Sequence, residues 1–285
     1  MKVYIAGIPS FAGALYSGTE AAPQSFRKAD IVSYFEDAVD LGDIPLSNHL
    51  PRHNVEPIRN WPAPKLVWDQ IEEHSEKWFK EDSFTLILGG DCSVITGVTS
   101  RFYRQYEKHT YVLSIDGHID STPPTSSVCI GAAAMGLWFL TNENPFYKKP
   151  KQFDNGHIAV LGYAEDNLHK DIQTKRMTLY SLEDIKKLSI ERVAKLYLAS
   201  IPKDARVLIH FDLDVISSDF LHAVYMPSEE GLSVEEIELL LSIIIEDSRV
   251  IGMVVTEFSS LKDAKGDQAK LVTSIIGKVL KNKVS

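Results

Sequence analysis

The chain repeats one pattern along its length: a short apolar run, then glycine or acidic residues, then a stretch with helical periodicity. The runs are rich in Val, Ile and Leu and mostly do not alternate with polar residues, which is typical of strands covered on both faces. They lie at residues 2–7, 85–88, 111–115, 157–161, 206–211 and 250–255. Strands that alternate with helices predict one parallel sheet with helices on both faces.

Capping patterns mark two helix starts. Ser233 is followed three residues later by Glu236, and the apolar spacing beyond it predicts a helix running towards Glu246. Ser181 opens a second helix that includes residues 185–188, and the tail after Leu261 predicts a terminal helix. No internal repeat or low-complexity linker divides the sequence, so we expect a single domain over residues 1–285.

Charge and composition exclude several classes of protein. The 30 Lys+Arg against 39 Asp+Glu give a formal net charge of −9, which lacks the electrostatic footprint of a general nucleic-acid binder. The longest uncharged stretch, residues 121–142, contains Pro123-Pro124 and several hydroxyls, which disfavours a membrane span. Cys92 and Cys129 are too few for a disulfide framework. We therefore expect a cytoplasmic protein that binds neither nucleic acid nor membrane.

Chemically active side chains follow four of the runs. They are Asp91 and Cys92; Asp116, His118 and Asp120; Asp212 and Asp214; and Glu257. Parallel strands bring such positions to one edge of the sheet, and an alternating spacing points side chains the same way. Burying four carboxylates together is prohibitively costly unless cations neutralise them.

A metal site is therefore predicted at this edge. One such motif alone is more often a turn or a solvated loop, but two of them at the ends of buried strands favour a metal site. Several carboxylates with one imidazole suit Mn²⁺, while Zn²⁺, Fe²⁺, Co²⁺ or Ni²⁺ remain alternatives.

In their order and spacing these motifs resemble the ureohydrolase family, which includes arginase, agmatinase, guanidinobutyrase and formimidoylglutamase. The likeness extends over nearly the whole chain. Its N-terminal part comprises Gly7-Ile8-Pro9, Gly13, Gly18-Thr19, Ala22-Pro23, Arg27 and Asp40-Leu41-Gly42-Asp43. The later part comprises Gly89-Gly90-Asp91-Cys92-Ser93, Asp116-Gly117-His118-Ile119-Asp120, Asp212-Leu213-Asp214 and Glu257.

The resemblance implies a three-layer α/β/α fold around a mostly parallel sheet of about eight strands. It also implies a homo-oligomer, a trimer or a hexamer, and a dinuclear Mn²⁺ centre. In the family a hydroxide that bridges the two metals attacks the guanidinium or amidine carbon of a small cationic substrate. By the same resemblance Asp116 and Asp212 bridge both metals, Asp120 binds the first metal, and His118 and Asp214 bind the second.

Substrate contacts are implied in the same way. Glu257 pairs with the planar cationic group, a role that suits bidentate geometry, and Glu257 and Asp120 are the implied catalytic residues. The loop over residues 162–167 resembles the family's substrate-amine loop, which implies Glu165 and Asn167 as substrate contacts.

The first departure from the family pattern is Cys92, which stands where the family has a metal-binding histidine. A thiolate can ligate the first metal, but it adds a negative charge and favours Zn²⁺, Fe²⁺ or Co²⁺ there. The alternative is an inert buried thiol beside a one-metal site.

The second departure is a missing histidine. The family's His-Gly pair aligns with Ile130-Gly131 or Ala133-Ala134, and neither can shuttle a proton. The loop after Met226 is expected to edge the pocket, and His210, inside a strand, to be a core histidine. We therefore predict a hydrolase of a linear guanidine or amidine other than free arginine, such as an agmatine-like compound, a guanidino acid or a modified guanidine. The alternative is a pseudoenzyme that acts as a binding or assembly subunit.

Overall fold

Eight parallel strands form one sheet in the computed structural model, which describes residues 1–47, 50–54, 56–125, 128–148, 153–164 and 172–284. The strands are β1 (Lys2–Gly7), β2 (Ala38–Asp43), β3 (Ser83–Leu88), β4 (Thr110–Ile115), β5 (Ile158–Tyr163), β6 (Thr178–Ser181), β7 (Arg206–Asp212) and β8 (Val250–Thr256). Their order across the sheet is β2-β1-β3-β8-β7-β4-β5-β6, and every neighbouring pair is parallel. All six predicted strands are present, with bounds that differ from the prediction by at most two residues at either end.

Helices cover this sheet. They are α1 (Ala22–Lys28), α2 (Ala63–His74), α3 (Val94–Tyr106), α4 (Gly136–Thr141), α5 (Leu182–Leu188), α6 (Ile190–Ser200), α7 (Val234–Ile245) and α8 (Asp267–Val284). Both predicted capping boxes are present, at Ser181 with Asp184 and at Ser233 with Glu236. Among the described residues, no helix combines the length and the apolar character that crossing a bilayer requires.

Successive side chains of the central strands pack into different cores. In β3, Leu86 and Leu88 belong to the core that includes residues of α1, α6, α7 and α8, whereas Ile87 belongs to the core under α2 and α3. The same alternation occurs in β8, where Val255 and Val254 face opposite layers. Because both faces are buried, the strands read as continuous apolar runs. The expected three-layer α/β/α fold is confirmed.

The edge strands were harder to predict. The apolar runs do not include β6, which lies at one edge beside β5. β2 is marked in the sequence only by the family-like motif at residues 40–43. β2 carries partly exposed residues and lacks the apolar run of a central strand. Arg27 of α1 supports it by bonding Asp40 through Nε at 2.8 Å and by pairing with Asp43. Arg27, Asp40 and Asp43, which belong to the family-like motifs, therefore connect α1 to the edge strand β2.

A glycine is required where β3 turns towards the strand-end edge. A methyl group at Gly90 would overlap the backbone carbonyl oxygen of Ser10. We expect Gly90→Ala to lower the free energy of unfolding by about 1–3 kcal/mol, measured by chemical denaturation. Gly156→Ala is the matched control, because its added methyl would first meet Asp154 Oδ1 at 3.3 Å on the exposed surface. Equal stabilities of the two variants would contradict the expectation.

Candidate active site

The candidate site lies at the carboxyl ends of the four central strands, β3, β8, β7 and β4. Cys92 follows β3, Asp116 follows β4, Asp212 ends β7, and Glu257 follows β8. These strands are neighbours in the sheet although they are far apart in the sequence. The structure therefore brings the predicted strand-end residues into one place, as parallel topology requires.

One group of potential metal ligands consists of Asp116, His118 and Asp214, whose donor atoms all lie within 4.8 Å of one another. His118 Nδ1 lies 2.9 Å from Asp214 Oδ2, and the His118 backbone N–H donates to Asp116 Oδ1 at 2.6 Å. The Gly117 N–H donates to Asp214 Oδ1 at 3.1 Å. The turn after β4 thus orients carboxylates from two strands.

A second group shares one member with the first. It consists of Asp116, Asp120 and Asp212, again within 4.8 Å. Asp212 Oδ1 accepts the Asp214 N–H at 2.9 Å, and Asp120 has a positive φ of 46°. Since Asp116 belongs to both groups, its carboxylate is placed to contact two cations at once.

Burial and mutual repulsion strongly perturb the pKa values of the carboxyl groups in this cluster. Burial, followed by the charge of Asp214, raises the pKa of Asp116 to about 7. Burial and neighbouring carboxylates also raise the pKa values of Asp120 and Asp212 well above their usual range. Burial alone would lower the pKa of His118, but the hydrogen bond and charge of Asp214 outweigh it and raise that pKa to about 10.

Among the described residues, His118 is the cationic side chain in direct contact with these carboxylates, and protonation neutralises the others. Divalent cations would take the place of those protons and keep the carboxylates ionised. An oxygen-rich set with one imidazole is the donor chemistry of Mn²⁺ and similar ions. The residues therefore fit the metals that the sequence predicted.

Cys92 lies beside this cluster. Its Sγ contacts Asp212 Oδ2 and lies 3.3 Å from Thr256 Oγ1. Among the described residues, Cys92 Sγ lies within 4.8 Å of donor atoms of His210 and Asp212. Because Asp212 also belongs to the second group of potential metal ligands, Cys92 is adjacent to that group. Burial, then the charge of Asp212, raises the pKa of the thiol well above its usual value, so without cations it is a thiol that donates to Asp212.

His210 is a core histidine, as expected from the sequence. It is fully buried in β7, with Nδ1 2.8 Å from Ser114 Oγ and Nε2 2.9 Å from Thr256 Oγ1. Burial lowers the pKa of its imidazole to about 4, which keeps the ring neutral. Both ring nitrogens are occupied, so His210 fixes β4, β7 and β8 to one another beneath the site.

Glu257 is held rigidly at the end of β8. Its backbone has a φ of 67°, its N–H donates to Gly90 O at 3.0 Å, and its Oε1 accepts the Cys92 N–H at 2.9 Å. Burial, then the charge of Asp91, raises the pKa of the Glu257 carboxyl to about 8. Asp91 itself accepts the N–H groups of Gly13 and Ser93, at 3.2 and 3.0 Å. A cation in front of Glu257 would favour its ionised form.

A cavity of about 420 Å³ opens over these residues. Its floor consists of Cys92, His118, Asp120, Asp212, Asp214 and Glu257. Its walls come from residues 13–16, 129–131, 133–134 and 225–226, with Arg59 at one side. The walls are mostly apolar, which is typical of a ligand pocket with a few convergent polar groups.

Several residues that the sequence analysis predicted to lie at the pocket can be compared with the residues that form its walls. Ile130, Gly131, Ala133 and Ala134 all line the cavity, so the residues that align with the family's His-Gly pair do lie at the pocket and offer no imidazole there. Met226 also lines it, as expected for the loop that was predicted to edge the pocket. The predicted substrate contacts Glu165 and Asn167 lie outside the described residues.

Sequence reasoning missed Arg59 and the aromatic residues Tyr16 and Tyr225, which also line the cavity. Arg59 sits in a Pro-containing stretch that reads as a surface loop. The parallel bridge between Ile58 and Ile130 places this segment beside the pocket. The amino-acid sequence of this loop therefore contains no pattern that predicts the position of Arg59 at the pocket.

The fold and the strand-end cluster define an α/β/α protein with a carboxylate-lined candidate metal centre. The sequence model described as Arginase family matches residues 1–281. The chain belongs to the arginase family.

Individual relatives are distant. The arginase of Bacillus caldovelox is 23% identical over 99% of both chains. Its solved structure has a TM-score of 0.85 at 22% identity and covers 98% of this chain and 97% of that one. The Entamoeba histolytica arginase in complex with L-ornithine has a TM-score of 0.89 at 18% identity and covers 98% of both chains. Formimidoylglutamase from Bacillus subtilis has a TM-score of 0.79 at 18% identity, over 100% of this chain and 88% of that one. At these identities the structural likeness shows the fold.

Proposed function

We propose that the protein is a metal-dependent hydrolase that cleaves a C–N bond of a linear guanidine or amidine. One observation carries this proposal: two ligand groups share the buried Asp116, and their other members line a single pocket together with Glu257. Membership of the arginase family supports the same reaction class.

The two groups support a proposed set of metal ligands. Asp116, Asp120 and Asp212 would hold one cation, and Asp116, His118 and Asp214 would hold the other. When bound, the cations supply the Lewis acidity that makes water a nucleophile at neutral pH. Mn²⁺ fits this donor set best.

The chain's own residues bind and orient the substrate. Glu257 receives the planar cation, because its carboxylate is fixed by the Cys92 N–H and can pair with a guanidinium in bidentate geometry. Asp120 lines the same cavity, and in this proposal its carboxylate accepts a proton from the attacking water. The mostly apolar lining lowers the local dielectric constant, which strengthens both interactions.

Free arginine is not the substrate we propose. The wall at Ile130 and Ala133 offers no histidine to deliver a proton to the leaving group. Apart from Arg59, the described residues of these walls carry no charged side chain, so the α-ammonium group of a free amino acid would lack a charged partner there.

Turnover of a guanidine panel tests the proposal. The protein is purified with Mn²⁺, and its metal content is measured by elemental analysis. Release of urea or ammonia is followed for agmatine, guanidino acids and arginine, and release of formamide or ammonia is followed for a formimidoyl compound. We expect about two metals per chain and hydrolysis of at least one compound other than arginine. Loaded protein that hydrolyses none of them, with Mn²⁺ or with Zn²⁺, Fe²⁺, Co²⁺ or Ni²⁺, would refute the proposed activity.

Cys92 motivates a second candidate function. A thiol that donates to Asp212 in place of an imidazole ligand is also what a catalytically impaired family member would carry. Such a pseudoenzyme would bind metal and ligand without turnover. Ligand binding detected by calorimetry, together with no product in the panel, would favour this candidate over the hydrolase.

The role of Cys92 is itself testable through metal content. If its sulfur ligates, Cys92→Ser should lower occupancy at one site only, and Cys92→His should raise Mn²⁺ affinity, because an imidazole adds no negative charge. Elemental analysis after dialysis against a weak chelator measures both effects. Cys129→Ser is the matched control, since Cys129 lines the pocket outside the metal groups. Identical metal content in wild type and both Cys92 variants would remove Cys92 from the ligand set.

A further inference from the structure

Arg59 is the single lysine or arginine among the described residues that line the pocket. Among the described residues, no carboxylate lies within ion-pair distance of its guanidinium, and its Nε is buried without a hydrogen-bond partner. Two other partly buried arginines, by contrast, are paired: Arg27 with Asp40 and Asp43, and Arg249 with Asp247. A half-buried guanidinium left without a partner beside apolar walls is costly unless an anion binds it.

The backbone holds Arg59 in place. Its N–H donates to Ile130 O at 2.8 Å, and the Ile130 N–H donates back to Pro57 O at 3.4 Å. The neighbouring Asn60 bonds His53 and, through Nδ2, the Ala12 carbonyl at 3.3 Å. Ile58 is fully buried in the aromatic cluster that includes Trp68 and Phe139. The guanidinium thus projects from a fixed strand-like segment of the wall.

The pocket therefore has opposite charges in two places. Carboxylates, with Glu257 among them, form the floor, and Arg59 stands at the wall. The lining also includes Ile130, Ala133 and Ala134, which suit methylene groups. A ligand that matches this arrangement has a cationic planar group at one end, an apolar chain and an anionic group at the other end.

We propose that Arg59 is an anion-binding, specificity-determining residue that receives the terminal carboxylate of an ω-guanidino or ω-amidino acid. A guanidinium matches a carboxylate in bidentate geometry, which fixes the chain direction as well as its charge. The proposal rests on the proposed function, because it places the guanidino end of the same molecule at Glu257. It selects carboxylate-ended substrates over amine-ended ones.

Arg59→Met tests the subsite. It removes the charge but keeps the wall apolar and leaves the backbone bonds to Ile130 intact. In Mn²⁺-loaded protein we expect binding of 4-guanidinobutyrate and 5-guanidinopentanoate, measured by calorimetry, to weaken about 10- to 100-fold, with binding of agmatine and of the guanidino methyl esters nearly unchanged. Arg52→Met is the control, since Arg52 is exposed and packs on Phe11 outside the pocket.

Arg59→Lys provides a second variant if the methionine variant fails to fold. It keeps the charge but loses the bidentate fork, so binding of the acids should fall between those of wild type and Arg59→Met. Equal weakening for acids and esters, or no weakening in either variant, would overturn the subsite. Arg59-dependent binding without hydrolysis upholds the subsite and counts only against the proposed activity.

Discussion

The Glu257→Gln variant is expected to lose about 100-fold or more in kcat/KM for whichever guanidine or amidine the wild type hydrolyses. Glutamine is isosteric with glutamate, and its Oε1 can still accept the Cys92 N–H that Glu257 accepts at 2.9 Å. The backbone anchor from the Glu257 N–H to Gly90 O is also unaffected. What disappears is the negative charge that would pair with the planar cation.

The loss should lie in substrate binding and turnover and leave the metals in place. Steady-state kinetics and elemental analysis of the same preparation separate the two. Glu230→Gln is the matched control, because Glu230 is an exposed carboxylate in the loop beyond Met226 and should retain wild-type kcat/KM. An unchanged kcat/KM in Glu257→Gln would show that this carboxylate does not contact the substrate. Reduced metal content in Glu257→Gln would show that Glu257 contributes to metal binding.

Asp116→Asn is expected to abolish metal binding at both positions. The Asp116 carboxylate belongs to both ligand groups, so one substitution removes a ligand from each. Asparagine keeps the shape of the side chain but has no charge and only one oxygen to offer. We expect well below one metal per chain by elemental analysis, together with activity no higher than that of the metal-free wild type.

Asp120→Asn is the comparison that makes this result specific. Asp120 belongs to one group only, so this variant should retain about one metal per chain. Thermal unfolding with and without added Mn²⁺ gives an independent readout, since an ion that binds only the folded state raises the Tm. The Tm gain should be largest for wild type, smaller for Asp120→Asn and smallest for Asp116→Asn. Equal metal content in the two variants would show that Asp116 is not shared.

Much of the fold could be predicted from the sequence because its signals are local. Residues buried on both faces of a central strand must be apolar, so the runs ending at Leu88, Ile115 and Phe211 were recognisable without any partner. Capping boxes at Ser181 and Ser233 are local as well. The edge strands β2 and β6 escaped this reasoning, because a half-exposed strand is specified by the neighbour it pairs with.

The candidate metal centre was predictable for a related reason. Acidic residues at strand ends are separated by many residues, but parallel topology places all such ends at one edge. The metal site was therefore predicted from the acidic residues at these positions, namely Asp116, Asp120, Asp212 and Asp214. The family resemblance then implied the role of each residue. The structure then placed these carboxylates within reach of one another.

The sequence by itself determined the layered α/β fold, the acidic strand ends and the absence of a histidine at Ile130 or Ala133. The family resemblance implied that Asp116 is shared, and in the structure it belongs to two ligand groups. Tertiary structure alone decided that the Cys92 thiol contacts Asp212 and that Arg59 lines the pocket. These facts depend on which distant segments pack together, as the bridge from Ile58 to Ile130 illustrates. The strand ends follow from a periodic pattern of burial, whereas the wall around them depends on loop contacts that leave no such pattern in the chain.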